Sequence, residues 1–322
     1  MAHALRYLIM IGLIVGVGVT VLGLFADRWP ALELLNHGRP AVLAGVAALA
    51  VLALATRRPH LIAAAVIVAA GNVLLFGFAL QGVASASTGI QARFLRVVTF
   101  NVWLHNQRLV DIANFLNASG ADIAVLQEIM PHQRVTLRLL LAAQFPYMTG
   151  TTDVVIFSKH PPHGGGYIDG ERMDRTGKRP MLVWATFDVD GTAFDLAGVH
   201  LAYPFRPHDQ ANDMPRLIDF VRSRDRPLIV AGDFNLTPWS MKLQRFTRET
   251  GLKRYNTFTP TWPMNRLMPF VTIDNVFASK QFAPLKVATA PAIGSDHRPI
   301  IADIALVKPP SSAPIKTSAN YP

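Results

Sequence analysis

A chain of 322 residues is long enough for one large domain, or for a domain with an appendage. It has no cysteine, which excludes a disulfide framework and a Cys-ligated zinc. The formal charge of +10 is unevenly placed: residues 1–90 hold five Arg, no Lys and two acids, Asp27 and Glu33. The remainder has 26 basic and 19 acidic residues, an excess of about +7 that suits a polyanionic substrate or an anionic membrane surface, and equally suits solubility.

Three apolar stretches fill the first quarter, at residues 7–25, 41–56 and 61–80. The first and third approach the roughly 20 residues that cross a bilayer as a helix. The second is shorter and begins behind Pro40, but Arg39 and Arg57 can extend it by directing their charged ends outward. The expectation is a membrane anchor of three transmembrane helices over residues 1–86. A cleavable leader accounts for the first stretch alone, and a soluble domain does not hide three such helices at one terminus. Arg57 and Arg58, between the second and third stretches, set the orientation. With that turn inside, the amino terminus is inside and the rest emerges outside, as a multi-pass protein of the cell membrane with an extracytoplasmic domain. If the second stretch fails to cross, the domain becomes cytoplasmic. Residues 82–91, rich in Ser and Ala, connect anchor to domain, with 87–93 as the linker.

A β-branched apolar run at residues 96–102 opens the soluble part as a buried strand. Leu109, Ile112, Ala113 and Leu116 then mark one face of a helix closed by Gly120. A strand at 122–126, a helix at 133–143 and strands at 153–158, 181–189 and 193–200 follow. The last two are joined by Asp190-Gly191, a tight-hairpin signal. A helix over 209–222, with Pro215 near its middle, precedes a strand at 227–231, and a short helix starts near Pro238. Strands at 272–277, 285–289 and 298–306 complete the domain of residues 94–307, and 308–322, rich in Pro, Ser and Ala, reads as a disordered tail. Hairpins alternate with crossovers and polar residues gather just past strand ends. That is the pattern of two sheets packed face to face with helices outside, an α/β sandwich.

Four of those polar tips carry chemistry: Thr99-Phe100-Asn101-Val102-Trp103, Leu126-Gln127-Glu128, Gly232-Asp233-Phe234-Asn235 and Gly294-Ser295-Asp296-His297. Each is short enough to arise by chance. As an ordered set, over residues 94–307, they resemble the endonuclease/exonuclease/phosphatase superfamily. Its members include pancreatic-type deoxyribonuclease, abasic-site endonucleases, neutral sphingomyelinases and inositol polyphosphate 5-phosphatases. The resemblance implies a DNase I-like, four-layered α/β/β/α sandwich with a Mg²⁺ site, or Mn²⁺ in its place, at one rim. It implies that Glu128 ligates the metal, that Asn101 holds the metal shell or a phosphate oxygen, and that Asp296 is a second carboxylate nearby. A hard ion that keeps several waters needs only one or two carboxylates. By the same resemblance Asp233 is expected to position or deprotonate the attacking water, and Asn235 to donate to the phosphate. His200 resembles the family histidine that contacts the scissile phosphate or assists the leaving group, and Asp274 resembles the carboxylate that orients His297. Asn275 stands where the family commonly has His, Tyr or Trp. His105, His132, His160, His163 and His208 have no motif support.

The reaction so implied is in-line attack of water on the phosphorus of a phosphodiester or phosphomonoester. Its substrate stays open. The basic excess suits DNA or RNA, although Trp103 stands where abasic-site enzymes tend to have an acid. The anchor suits a lipid head group or a small phosphoester near the bilayer. A catalytically dead, membrane-bound scaffold has no need of the full set of acids, amides and imidazoles. Trp239, Trp262 and Phe270, in loop-like stretches, suit lipid contact, base stacking or core packing, and Lys178-Arg179-Pro180 suits a phosphate grip or a solvated loop. No obligate protein partner is implied.

Overall fold

The computed structural model describes residues 2–78, 84, 94–150, 152–174, 177–256, 258–264 and 271–307. Helix α1 (Ala2–Gly23) leads to a single 3-10 turn (Pro30–Leu32), the short α2 (Glu33–His37), α3 (Arg39–Thr56) and α4 (Pro59–Phe78). Three of these are long and apolar enough to cross a membrane, with mean hydropathies of 2.2, 1.8 and 2.1 over His3–Gly23, Arg39–Thr56 and Pro59–Gly77. They pack on one another through Ile9, Leu13, Val46, Ala53, Leu61 and Ala65, and leave Leu8, Ile14, Val51, Ile67 and Leu74 outward. An apolar outer face is what a lipid surrounding requires. Pro40 sits inside the first turn of α3 rather than before it, where its missing N–H costs nothing.

The rest of the chain folds as β1 (Leu95–Asn101), α5 (Leu109–Ala118), β2 (Ile123–Ile129), α6 (Pro131–Leu141), β3 (Tyr147–Thr149), β4 (Asp153–Ser158), β5 (Pro162–Asp174), β6 (Gly177–Val189), β7 (Thr192–His200), α7 (Pro207–Arg222), β8 (Leu228–Asp233), α8 (Met241–Thr250), β9 (Lys253–Arg254), β10 (Asp274–Ala278), β11 (Phe282–Thr289) and β12 (Ile300–Leu306). Two six-stranded sheets form, in the orders β11-β12-β1-β2-β4-β3 and β5-β6-β7-β8-β10-β9. Val97, Val125 and Ile156 of the first meet Val183, Leu196 and Ile229 of the second in a shared core. On the outer faces, Ile112 and Leu116 of α5 and Leu137 and Leu141 of α6 cover the first sheet, and Leu217 of α7 and Phe246 of α8 cover the second. The result is the expected four-layered α/β/β/α sandwich. Beneath one rim the sheets touch closely: a β-carbon at Gly198 would lie 2.9 Å from Val154 Cγ1.

In each sheet a parallel pair sits near the middle, β1 beside β2 and β7 beside β8. A parallel pair needs a crossover, and α5 and α7 are those crossovers. Asp190 and Gly191 both take positive φ, 51° and 75°, as a tight hairpin between β6 and β7 demands. Helix α8 starts at Met241, later than Pro238, because Ser240 caps it by accepting the amide of Leu243 at 3.2 Å. Strand β5 has no counterpart in the sequence reading: Pro162 and Gly164 to Gly166 look like a loop. It survives as an edge strand, hydrogen-bonded to β6 alone through several register shifts. Ala84, inside the stretch assigned to the anchor, already donates its amide to the carbonyl of Arg254 at 2.8 Å. The linker 87–93, the tail 308–322 and Phe270 lie outside the described residues.

Candidate active site

Strand ends bring the predicted residues together at one rim. β1 ends at Asn101, β7 at His200 and β8 at Asp233, while β10 begins at Asp274. Pairing puts His200 opposite Asp233 and Asp233 opposite Asp274, so the three form a row across the second sheet. From the first sheet, Asn101 Nδ2 donates to Glu128 Oε1 at 3.1 Å and to Asp233 Oδ2 at 3.0 Å, joining the sheets at this point. Glu128 reaches the rim through a bulge: the β2–β4 register slips between Leu126 and Ile129, and Glu128 takes φ 59°. Such a bulge re-aims one side chain out of the strand alternation. Gly232, at φ 153°, has no room for a side chain, because a β-carbon would drive into the backbone of Val199.

His297 arrives on the loop before β12. Ser295 Oγ donates to the carbonyl of Asn101 at 2.7 Å and accepts the amide of His297 at 3.0 Å, which fastens that loop to β1. His297 Nδ1 lies 2.9 Å from Asp274 Oδ2, and its Nε2 is 3.8 Å from Asp233 Oδ2. Burial alone would lower the pKa of His297, but the charges of Asp274 and Asp233 and the bond to Asp274 outweigh it and raise it to about 10. The ring is therefore an imidazolium at neutral pH. Asp233 is pushed up to about 7, first by burial and then by the charge of Asp274, against the pull of His297, Asn101 and the Asn235 amide. Burial would raise Glu128 too, yet His200, Asn101, the Leu104 amide and His297 together hold it below the ordinary glutamate value.

Above this cluster opens a cavity of about 330 Å³, lined among others by Glu128, Asn235, Asp296 and His297. Asp296 is half-buried there and accepts Trp262 Nε1 at 3.1 Å. Asp233, fully buried, lies directly behind. Ligand-type atoms of Asp233, Asp274 and His297 all fall within 4.8 Å of one another. The bond between Asp274 and His297 already accounts for part of that closeness, so the cluster is built to hold a proton. Glu128, held ionised, and the half-buried Asp296 on the cavity wall offer the hard oxygens that Mg²⁺ prefers.

A family model described as Endonuclease/Exonuclease/phosphatase family matches residues 98–297. The chain belongs to this family. As a family member it is a hydrolase of phosphate esters. Solved structures share the fold: a functionally unknown conserved protein from Enterococcus faecalis (17% identity, 66% of this chain and 100% of that one, TM-score 0.57) and an endonuclease/exonuclease/phosphatase from Bacteroides vulgatus (21%, 66% and 99%, 0.54). A third is a beta-toxin mutant from Staphylococcus aureus with bound magnesium ions (17%, 65% and 99%, 0.52). Among curated proteins none matches the sequence.

Within this endonuclease/exonuclease/phosphatase domain two site residues escaped the sequence reading. Asp153, at φ 59°, has Oδ1 3.0 Å from His200 Nδ1 and 3.7 Å from Arg179 Nη1. It holds the His200 ring with Nε2 at 3.7–3.8 Å from Asp233 and Glu128. Tyr203 donates its hydroxyl to Glu128 Oε1 at 3.0 Å from the cavity wall. Asp153 merely opens a strand in the sequence, and Tyr203 is one of several loop aromatics, so neither gave a signal. Tyr203→Phe is expected to raise the divalent-metal concentration for half-maximal activity by about tenfold, as loss of a carboxylate's supporting partner does. A metal titration of activity checks it, with the unfolding temperature as control.

Other expected residues have definite partners. Asn101 turns Oδ1 to the amide of Trp103 at 3.0 Å and its Nδ2 to two carboxylates, so it braces Glu128 and Asp233. Asn235 points Nδ2 at the carbonyl of Leu201 and at Asp233. Lys178 pairs with Glu171 at 3.3 Å on the surface, and Arg179 Nη1 lies 3.7 Å from Asp153, behind His200. Trp262 lines the cavity, Trp239 is buried against Phe76 of α4, and His105 joins the lining beside Trp103.

Proposed function

We propose that the chain is a membrane-anchored, Mg²⁺-dependent phosphoesterase whose attacking water is prepared by Asp233. The observation that carries this reading is the convergence of Asn101 and Glu128 from one sheet on the row His200, Asp233 and Asp274 from the other, closed by His297. Glu128 and Asp296 would hold the ion, with Asn101 and Tyr203 fixing the Glu128 carboxylate. Bound there, Mg²⁺ would supply positive charge against the phosphoryl and leaving oxygens. Asp233 accepts the proton of the water, for which a pKa near neutrality is the useful value. His297, kept cationic by Asp274, donates from Nε2 to the phosphate. His200, held by Asp153, faces the same oxygens. The three apolar helices would keep the domain at the bilayer, and the Arg57-Arg58 turn favours its extracytoplasmic side.

The test is turnover of bis-p-nitrophenyl phosphate by the full-length protein. Hydrolysis should require Mg²⁺ and vanish with chelator. Glu128→Gln should lower kcat/KM by about a hundredfold or more, as removal of one transition-state electrostatic contact does. Undiminished hydrolysis in chelator, or in Glu128→Gln, refutes the reading.

A further inference from the structure

One wall of the cavity does not come from the catalytic domain. Leu34 and His37 belong to the short chain between α1 and α3, yet they line it together with Glu128, Asp296 and His297. Polar contacts hold them there. His37 Nδ1 lies 3.1 Å from Thr237 Oγ1, the His37 carbonyl accepts Trp239 Nε1 at 3.2 Å, and Glu33 Oε1 accepts the amide of Met241 at 3.1 Å where α8 begins. On the other side, buried Asn36 donates to the carbonyl of Gly23 at the end of α1 and accepts from Arg39 Nη2 at 2.7 Å at the start of α3. The third apolar helix arrives at the same place. Phe76, near the end of α4, stacks on Trp239 at 5.2 Å and on Phe258 at 5.8 Å. One end of each apolar helix thus meets the rim that holds the cavity.

The cavity wall beyond the catalytic cluster is aromatic and aliphatic. Trp103, Tyr203 and Phe205 are 38%, 39% and 80% exposed, and Leu34 is 37% exposed. No Lys or Arg is found among the described residues that line it. A nucleic-acid groove neutralises the phosphates flanking the scissile one with such cations, and the described lining offers none. His37 lines the cavity as well, and its buried Nε2 has no hydrogen-bond partner among the described residues. Burial first, and then nearby Lys242, push the ring's pKa down to about 4, so the ring stands neutral in the cavity wall.

Building on the phosphoesterase reading above, we propose that the Glu33–His37 segment is part of the substrate site, and that the substrate is a membrane lipid with a phosphoester head group. The tails stay in the bilayer around α1, α3 and α4. The head group passes Leu34 and His37, which set specificity, and reaches Glu128 and His297. The full-length protein is assayed with Mg²⁺ on bis-p-nitrophenyl phosphate, on plasmid DNA, and on vesicles of phosphatidylcholine, phosphatidylethanolamine, phosphatidylglycerol or sphingomyelin. At least one lipid should be hydrolysed. His37→Ala and Leu34→Ser should each lower the ratio of lipid to bis-p-nitrophenyl phosphate kcat/KM, measured on one preparation, by tenfold or more. An unchanged ratio in both variants overturns the proposal. So does a preparation that turns over bis-p-nitrophenyl phosphate but none of the four lipids, whether or not it cuts DNA. If wild type fails on bis-p-nitrophenyl phosphate as well, the phosphoesterase reading itself falls.

Discussion

Asp233→Asn should lower kcat by about 10²- to 10⁴-fold, the range lost with a general base, and yet leave the metal-free protein as stable as wild type or more so. The two effects share one cause. Asp233 is fully buried beside Asp274, which pushes its pKa from 3.8 up to about 7. An acid whose folded value lies above its unfolded value disfavours folding once it must ionise. That penalty is absent below about pH 4, grows as the pH rises toward 7, and is fully present above it. Asparagine has the same shape and no charge, and like the protonated acid it keeps one acceptor oxygen, either for the Asn235 amide, which bonds Oδ1, or for Asn101, which bonds Oδ2. In chelator, the unfolding temperature of the variant should therefore exceed that of wild type at pH 8 and match it at pH 4. Wild-type turnover by Asp233→Asn removes Asp233 from the mechanism. A large drop in stability at pH 8 refutes the electrostatic account of its burial.

Gly232→Ala should be the most damaging small substitution in the domain, costing about 3 kcal/mol or more. Gly232 is paired with Val199 across the parallel β7–β8 ladder, and at φ 153° an added methyl group enters the Val199 backbone. Relief requires separating two central strands, and with them His200 from Asp233. Thermal unfolding and protease resistance measure the loss. An alanine variant that melts within a few degrees of wild type would show that the rim is softer than its packing implies. Because the residue touches no substrate, any activity that survives should retain a wild-type metal requirement.

Much of the architecture was legible because the sandwich alternates elements of ordinary length with plain signals. The Leu109, Ile112, Ala113, Leu116 face and the Asp190-Gly191 turn lie where periodicity and turn chemistry place them. The site was legible for a related reason: polar residues that follow apolar runs must emerge at a rim, and four of them did. What stayed hidden depends on neighbours distant in sequence. Asp153 becomes the partner of His200 only because β4 flanks β2 and the sheets pack face to face. Tyr203 needs the Glu128 bulge to find an acceptor. Nothing in the local sequence of Leu34 or His37 points to Thr237, two hundred residues away, and the glycines of β5 disguise an edge strand as a loop.

The place of β12 in the first sheet governs when this molecule can work during its own synthesis. The strand lies between β11 and β1, so the last of the described strands fills a gap beside the first of them. Until Ile300–Leu306 leaves the ribosome, the flank of Leu95–Thr99 waits with open backbone groups, an invitation to wrong pairing that a nascent chain must keep covered. His297 precedes β12 by three residues, and Ser295 ties its loop to Asn101, the final residue of that waiting strand. Closure of the sheet and completion of the reactive centre are thus a single late event, and a nascent chain that stops short of it has neither.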